Sequence, residues 1–113
     1  LLLRLASRYR AWERDGQGVS ETYSAAIGRE LRKPLYELGY QNLNRMLGNE
    51  HPELSDAMRN YVASAMLTLM STENFVFLRH NLGYDARAVH VSVVNAINAI
   101  RRGLQPDLSA DYI

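Results

Sequence analysis

The sequence predicts an all-α protein, an antiparallel helical bundle of about five helices. Three observations carry that expectation. Apolar residues recur at spacings of three and four through most of the 113 residues, the period of one helical face. No alternating polar and apolar run lasts more than a few residues, and Val, Ile and Thr are sparse before the last third. Only three prolines occur: Pro34, Pro52 and Pro106.

The first helix is expected from Leu1 to about Asp15. Leu2, Leu5, Tyr9 and Trp12 make one apolar stripe, and Arg4, Arg8, Glu13 and Arg14 lie off it. Gly16 and Gly18 supply the stop, since glycine favours the position just past a helix. Ser20 is a good N-cap for the next segment, which runs to about Leu47. Pro34 removes an amide donor and disfavours helical geometry in the residue before it. It therefore predicts a split into Glu21–Arg32 and Pro34–Leu47, with a kinked single helix as the alternative. On the second piece Tyr36, Tyr40, Leu43 and Leu47 share a face that Leu35, Leu38 and Met46 widen.

Gly48 to His51 reads as a turn. Pro52 then opens a long helix to about Asn81, roughly 45 Å at 1.5 Å per residue. Tyr61 to Leu78 is apolar on nearly all sides, which predicts burial on more than one face. In the tight connection from Leu82 to Asp85, Gly83 stops one helix and Asp85 caps the next. The last helix spans Ala86–Arg102, with Val89, Val93, Ala96, Ile97, Ile100 and Leu104 on one face and Gly103 at its end. The expected organisation is one domain over residues 1–104 and a tail over 105–113. The last two helices, joined by a short turn, are expected to pack as an antiparallel hairpin.

Composition narrows the function classes. Apolar residues make up 47% and charged residues 22%, the balance of a globular chain. Thirteen Lys and Arg against twelve Asp and Glu leave a net charge of +1, a poor footprint for nucleic acid. The absence of cysteine excludes disulfides, thiolate metal sites and cysteine nucleophiles. The longest strongly apolar run, Tyr61 to Met70, falls short of the ~20 residues of a membrane span. Leu1-Leu2-Leu3 is followed at once by Arg4, which leaves no room for a signal-peptide apolar region. The chain starts without Met and in mid-pattern, so it reads as a piece of a longer protein.

No catalytic constellation is legible. No Glu is followed by His three residues later, as helical di-iron sites require. His51, His80 and His90 are scattered over a turn, a helix end and a helix start. No phosphate-binding glycine loop and no Gly-x-Ser-x-Gly elbow occur. The expectation is a protein that is not an enzyme and takes no metal or cofactor.

The aromatic and Met residues are more informative. Tyr9, Trp12, Tyr36, Tyr40, Tyr61, Met66 and Met70 are candidate ligand-binding residues. Large apolar bodies with polar handles, beside adaptable thioethers, suit an apolar or aromatic small molecule held between helices. Gly28 and Gly39 are expected to loosen the packing there. The same set also reads as an ordinary core. Glu73 and Asn74 interrupt the apolar heart of the long helix. An unpaired buried carboxylate is costly, so Glu73 requires an Arg across an interface, a ligand cavity or a solvated edge. Phe75 and Leu78, with Val91, Val94, Asn95 and Asn98 on a mixed second face of the last helix, are candidate homodimer contacts.

The stretches LRHNLGYDARAV and VVNAINAIRRGL resemble the last two helices of the TetR family of bacterial transcriptional regulators. Leu82-Gly83 and Arg102-Gly103-Leu104 fall where that family has its short turn and its closing signature. The upstream RLASRYRAWERDGQGVSETYSAAIGREL is similar to the family's middle helices. The resemblance implies an effector-binding and dimerisation domain whose last two helices form a dimeric four-helix bundle. It implies a cytoplasmic protein that meets operator DNA only through an N-terminal helix-turn-helix domain without a counterpart here. The effector is not carried over, because pocket residues differ between members. The competing expectation is a stand-alone helical homodimeric module that binds no small molecule.

Overall fold

The computed structural model describes residues 2–15 and 26–105. It contains five helices among them: α1 (Leu2–Arg14), α2 (Ala26–Glu50), α3 (Asp56–Leu69), α4 (Thr72–His80) and α5 (Ala86–Arg102). No strand occurs among the described residues, as the all-α expectation requires. None of the described helices is long and apolar enough to cross a membrane. The expected stop at Gly16 and Gly18, the cap at Ser20 and the tail beyond Gln105 lie outside the described residues.

The count of five agrees with the sequence reading, but two boundaries are exchanged. The expected split at Pro34 does not occur: α2 passes through it. Pro34 and Glu30 are both exposed, so the carbonyl that loses its donor is open to water, which lowers the cost of an interior proline. The helix also continues past Leu47, through Gly48, to Glu50. Conversely, the long helix expected from Pro52 to Asn81 starts later and breaks. Ser55 is its N-cap, taking the Met58 N–H at 3.1 Å, while Pro52 belongs to a turn closed by the Leu54 N–H to the His51 carbonyl. At Met70–Ser71 the chain leaves the helix. Ser71 caps α4 by accepting the Asn74 N–H at 3.1 Å.

The remaining ends follow the sequence. Gly83 sits at φ 72°, a left-handed conformation that glycine adopts without steric cost, and the next residue, Tyr84, donates its N–H back to the Leu78 carbonyl at 3.0 Å. Asp85 caps α5 by accepting the Ala88 N–H at 2.8 Å.

α2 and α3 pack antiparallel, with Gly39 against Leu67 and Asn44 beside Arg59 and Asn60. Gly39 was expected to loosen the interior. Instead it marks a close approach: a Cβ there would lie 3.1 Å from Leu67 Cδ1. α5 makes its broadest contact with α1 and smaller ones with α3 and α4. The last helix thus meets both halves of the broken helix before it and packs more broadly on α1. The core gathers Leu5 and Tyr9 of α1, Leu43 and Leu47 of α2, Met66 of α3, Phe75 of α4, and Val89, Val93 and Ile97 of α5. Leu35 and Leu38, expected on the inner face of α2, are instead 67% and 55% exposed.

The Gly39 contact is testable. Gly39→Ala gains helix propensity of about 1 kcal/mol against a small shift of Leu67, so the net change is expected within about 1 kcal/mol of zero. Gly39→Val drives a second methyl toward α3 and is expected to destabilise by about 1–3 kcal/mol. Urea unfolding of the two variants measures the difference; equal stabilities contradict the close approach.

Candidate functional site

Two side-chain clusters meet at α4. The first is polar. Arg32 and Tyr36 are four residues apart on α2 and so share a face. Both reach Glu73 in the first turn of α4. Arg32 Nε lies 3.3 Å from Glu73 Oε1, and the Tyr36 hydroxyl donates to Glu73 Oε2. The Arg32 side chain is 12% exposed and that of Glu73 36%. Burial, and next the hydrogen bond to Glu73, push the Tyr36 phenol above its ordinary value of 10.0. Glu73 also sits where the N-terminal end of a helix favours negative charge. The partner that the sequence requires for Glu73 is therefore an Arg of the same chain.

The second cluster is aromatic. The Tyr9 ring stacks on Phe75 with centroids 5.4 Å apart, and Trp12 meets Phe75 edge-on at 5.2 Å. His90 approaches Tyr9 edge-on at 6.3 Å, and the Arg8 guanidinium lies 5.9 Å above the Trp12 ring. The Tyr9 hydroxyl is buried without a hydrogen-bond partner. Burial holds its proton well above the usual phenol range, with Arg8 opposing weakly.

The seven candidate ligand residues therefore fall into three groups. Tyr9, Met66 and Met70 are buried in the core, and Trp12 and Tyr40 pack against it. Tyr36 belongs to the polar cluster. Tyr61 is 60% exposed, on the side of α3 that also carries the exposed Ser64, Ala65 and Thr68. Two open grooves lie elsewhere. One is lined by Tyr84, Asp85, Arg87, Ala88, Val91 and Ser92 at the start of α5. The other runs between Met58 and Val62 of α3 and Ala99, Ile100 and Leu104 at the chain's far end.

The candidate dimer residues divide as well. Phe75 and Leu78 are buried within the chain's own core, because the break before α4 turns them inward. Val91 and Asn95 are exposed, Val94 and Asn98 half-buried, and the Asn95 amide donates to the Val91 carbonyl at 2.7 Å. Phe77, Leu82 and Tyr84 also stand exposed on this part of the chain. Arg32 and Ser71 escape the sequence reading. The spacing of Arg32 and Tyr36 was a usable signal for the first. The run Ser71-Thr72-Glu73-Asn74, a cap residue followed by first-turn polar residues, was one for the second. Among the described residues no three of His, Asp and Glu converge on a metal-sized site.

The two phenols give a pH prediction. Both hold their protons more tightly folded than unfolded. Their contribution to stability is thus complete below 10.0 and is lost as pH rises toward the higher folded values. Denaturant midpoints are expected to fall as pH climbs past 10.0, and the Tyr9→Phe, Tyr36→Phe double variant to flatten that fall. An identical pH dependence in parent and double variant contradicts the assignment.

Comparison with known protein families, with curated proteins and with solved structures finds no match.

Proposed function

We propose that the chain is a homodimerising helical domain, the dimerisation and effector-binding half of a TetR-like regulator. On this reading it pairs through the outer side of α4 and α5, and ligand binding tunes DNA contact made by another domain. The observation that carries it is the exposed apolar set Phe77, Leu82, Tyr84 and Val91 along α4, α5 and the turn between them. The inner face of α5 is already buried through Val89, Val93 and Ile97. A helix apolar on both faces suits a symmetric partner. The Asn95 and Asn98 amides beside Val91 and Val94 are fit to set register within such a seam.

A second reading has its own support. The packing of Tyr9, Trp12, Met66 and Met70 into one core favours a homodimeric interaction module without a small-molecule ligand.

Light scattering over a concentration series is expected to give a dimer at tens of micromolar. Val91→Glu is expected to dissociate it, since it places an unpaired carboxylate in a desolvated seam. A monomer throughout contradicts the proposal. A thermal-shift screen of apolar and aromatic compounds separates the two readings. A true effector at ~100 times its Kd stabilises by ~2.7 kcal/mol, and a broad screen without any shift favours the module.

A further inference from the structure

We infer that the break at Met70–Ser71 is a switchable hinge: α3 and α4 can also form one continuous helix, and Arg32 and Tyr36 of α2 hold the broken form through Glu73.

The case begins with the chain itself. From Glu53 to Leu82 there is no glycine and no proline, so nothing covalent forbids an unbroken helix. The departure is confined to very little backbone. Met70 has φ −90° and ψ 1°, and Ser71 has φ −73° and ψ 158°. The φ of Ser71 is already helical. Its ψ, together with a smaller change at Met70, is what separates the broken form from the helical values near −63° and −42°.

The hydrogen bonds point the same way. A continuous helix would direct the Thr72 N–H to the Thr68 carbonyl and the Glu73 N–H to the Leu69 carbonyl. In the broken form both carbonyls accept from side chains, and the Thr68 carbonyl also accepts the Ser71 N–H at 3.2 Å. Ser71 Oγ donates to the Thr68 carbonyl at 2.7 Å, and Asn74 Nδ2 donates to the Leu69 carbonyl at 2.8 Å. These two carbonyls are occupied in both arrangements, while the Glu73 N–H has a helical acceptor only in the continuous one. Side-chain donors thus offset part of what the break costs the backbone, so a modest differential interaction decides between the two forms.

That differential interaction comes from α2. Arg32 and Tyr36 grip Glu73, two residues beyond Ser71, and Pro34 lies between them. The Phe75 stack on Tyr9 adds to the broken form. Displacing the stretch of α2 that carries Arg32 and Tyr36 would release Glu73 and re-aim α4, with the exposed Phe77, relative to α3. This hinge stands independently of dimerisation.

The residue 73 amide reports the state directly. As the second residue of α4 it has no helical acceptor in the broken form and gains one in the continuous form. Hydrogen exchange by NMR is compared in the parent chain, in the Arg32→Met, Tyr36→Phe variant, and in that variant with Thr72→Pro added. Proline suits the first position of α4 and follows the extended Ser71, but it is excluded from a helix interior. The unlocked variant is expected to slow exchange at residue 73 about threefold, which corresponds to about two molecules in three in the continuous form. Adding Thr72→Pro is expected to restore the parent rate. Unchanged or faster exchange at residue 73 in the unlocked variant overturns the hinge. So does slowing that persists with Thr72→Pro, or a joint loss of protection at Val89 and Val93, which would make the cluster a plain stability element.

Discussion

At Ser71 the backbone turns to ψ 158°, and the arrangement of the other helices depends on that one departure. Without it, Asp56 to His80 would be a straight rod of roughly 38 Å at 1.5 Å per residue. Phe75 and Leu78 would then continue along the direction of α3. With it, Phe75 reaches Tyr9 and Trp12, and α5 packs broadly on α1 while still touching α3 and α4. The magnitudes show what stabilises the break. The Ser71 cap contributes about 1 kcal/mol. Burying Phe75 contributes about 1.5–3 kcal/mol, and each ring contact about 0.5–1.5 kcal/mol more. The cap sets the position of the break, the aromatic burial offsets the backbone hydrogen bonds that a continuous helix would add, and on the hinge inferred above the Arg32 and Tyr36 contacts to Glu73 tip the balance.

The polar cluster constrains the same joint from the other side. A partly buried ion pair adds little net stability, because desolvation offsets much of the attraction. Its value lies in what happens when it is mismatched. Any packing of α4 that separated Glu73 from Arg32 and Tyr36 would leave the mostly buried Arg32 side chain without that carboxylate. The cluster thereby selects which face of α4 meets α2. The aromatic cluster selects which face meets α1. Together they orient a nine-residue helix that is too short to be stable alone.

Much of this was legible in the sequence. The stripes of Leu5 and Tyr9 on α1, Leu43 and Leu47 on α2, and Val89, Val93 and Ile97 on α5 are all buried. The ends at Gly83 and Asp85 were legible too, because left-handed geometry and side-chain capping are local. The two misplaced boundaries have a common cause. Pro34 is a strong local breaker, but its exposed position lets water relieve the penalty. Ser71 is a weak local breaker, but tertiary burial of Phe75 makes it decisive. Periodicity within a single helix carries no information on either point. For the same reason the aromatic set read as either core or pocket. Residue type does not say whether Tyr9 faces Phe75 or a ligand, and Tyr61 shares the residue type of Tyr36 without its surroundings. Glu73 shows how far local chemistry reaches: the need for a partner was legible, and the identity of Arg32 waited on the meeting of two helices.

The most direct test is the backbone conformation of the unmodified chain at the joint. Carbon chemical shifts of Met70, Ser71 and Thr72, with proton contacts between the Tyr9 and Phe75 rings, report it in solution. The account predicts helical shifts on both sides, an extended value at Ser71, and clear contacts between the two rings. Unbroken helical shifts from Asp56 to His80, with no contact between Tyr9 and Phe75, would contradict it.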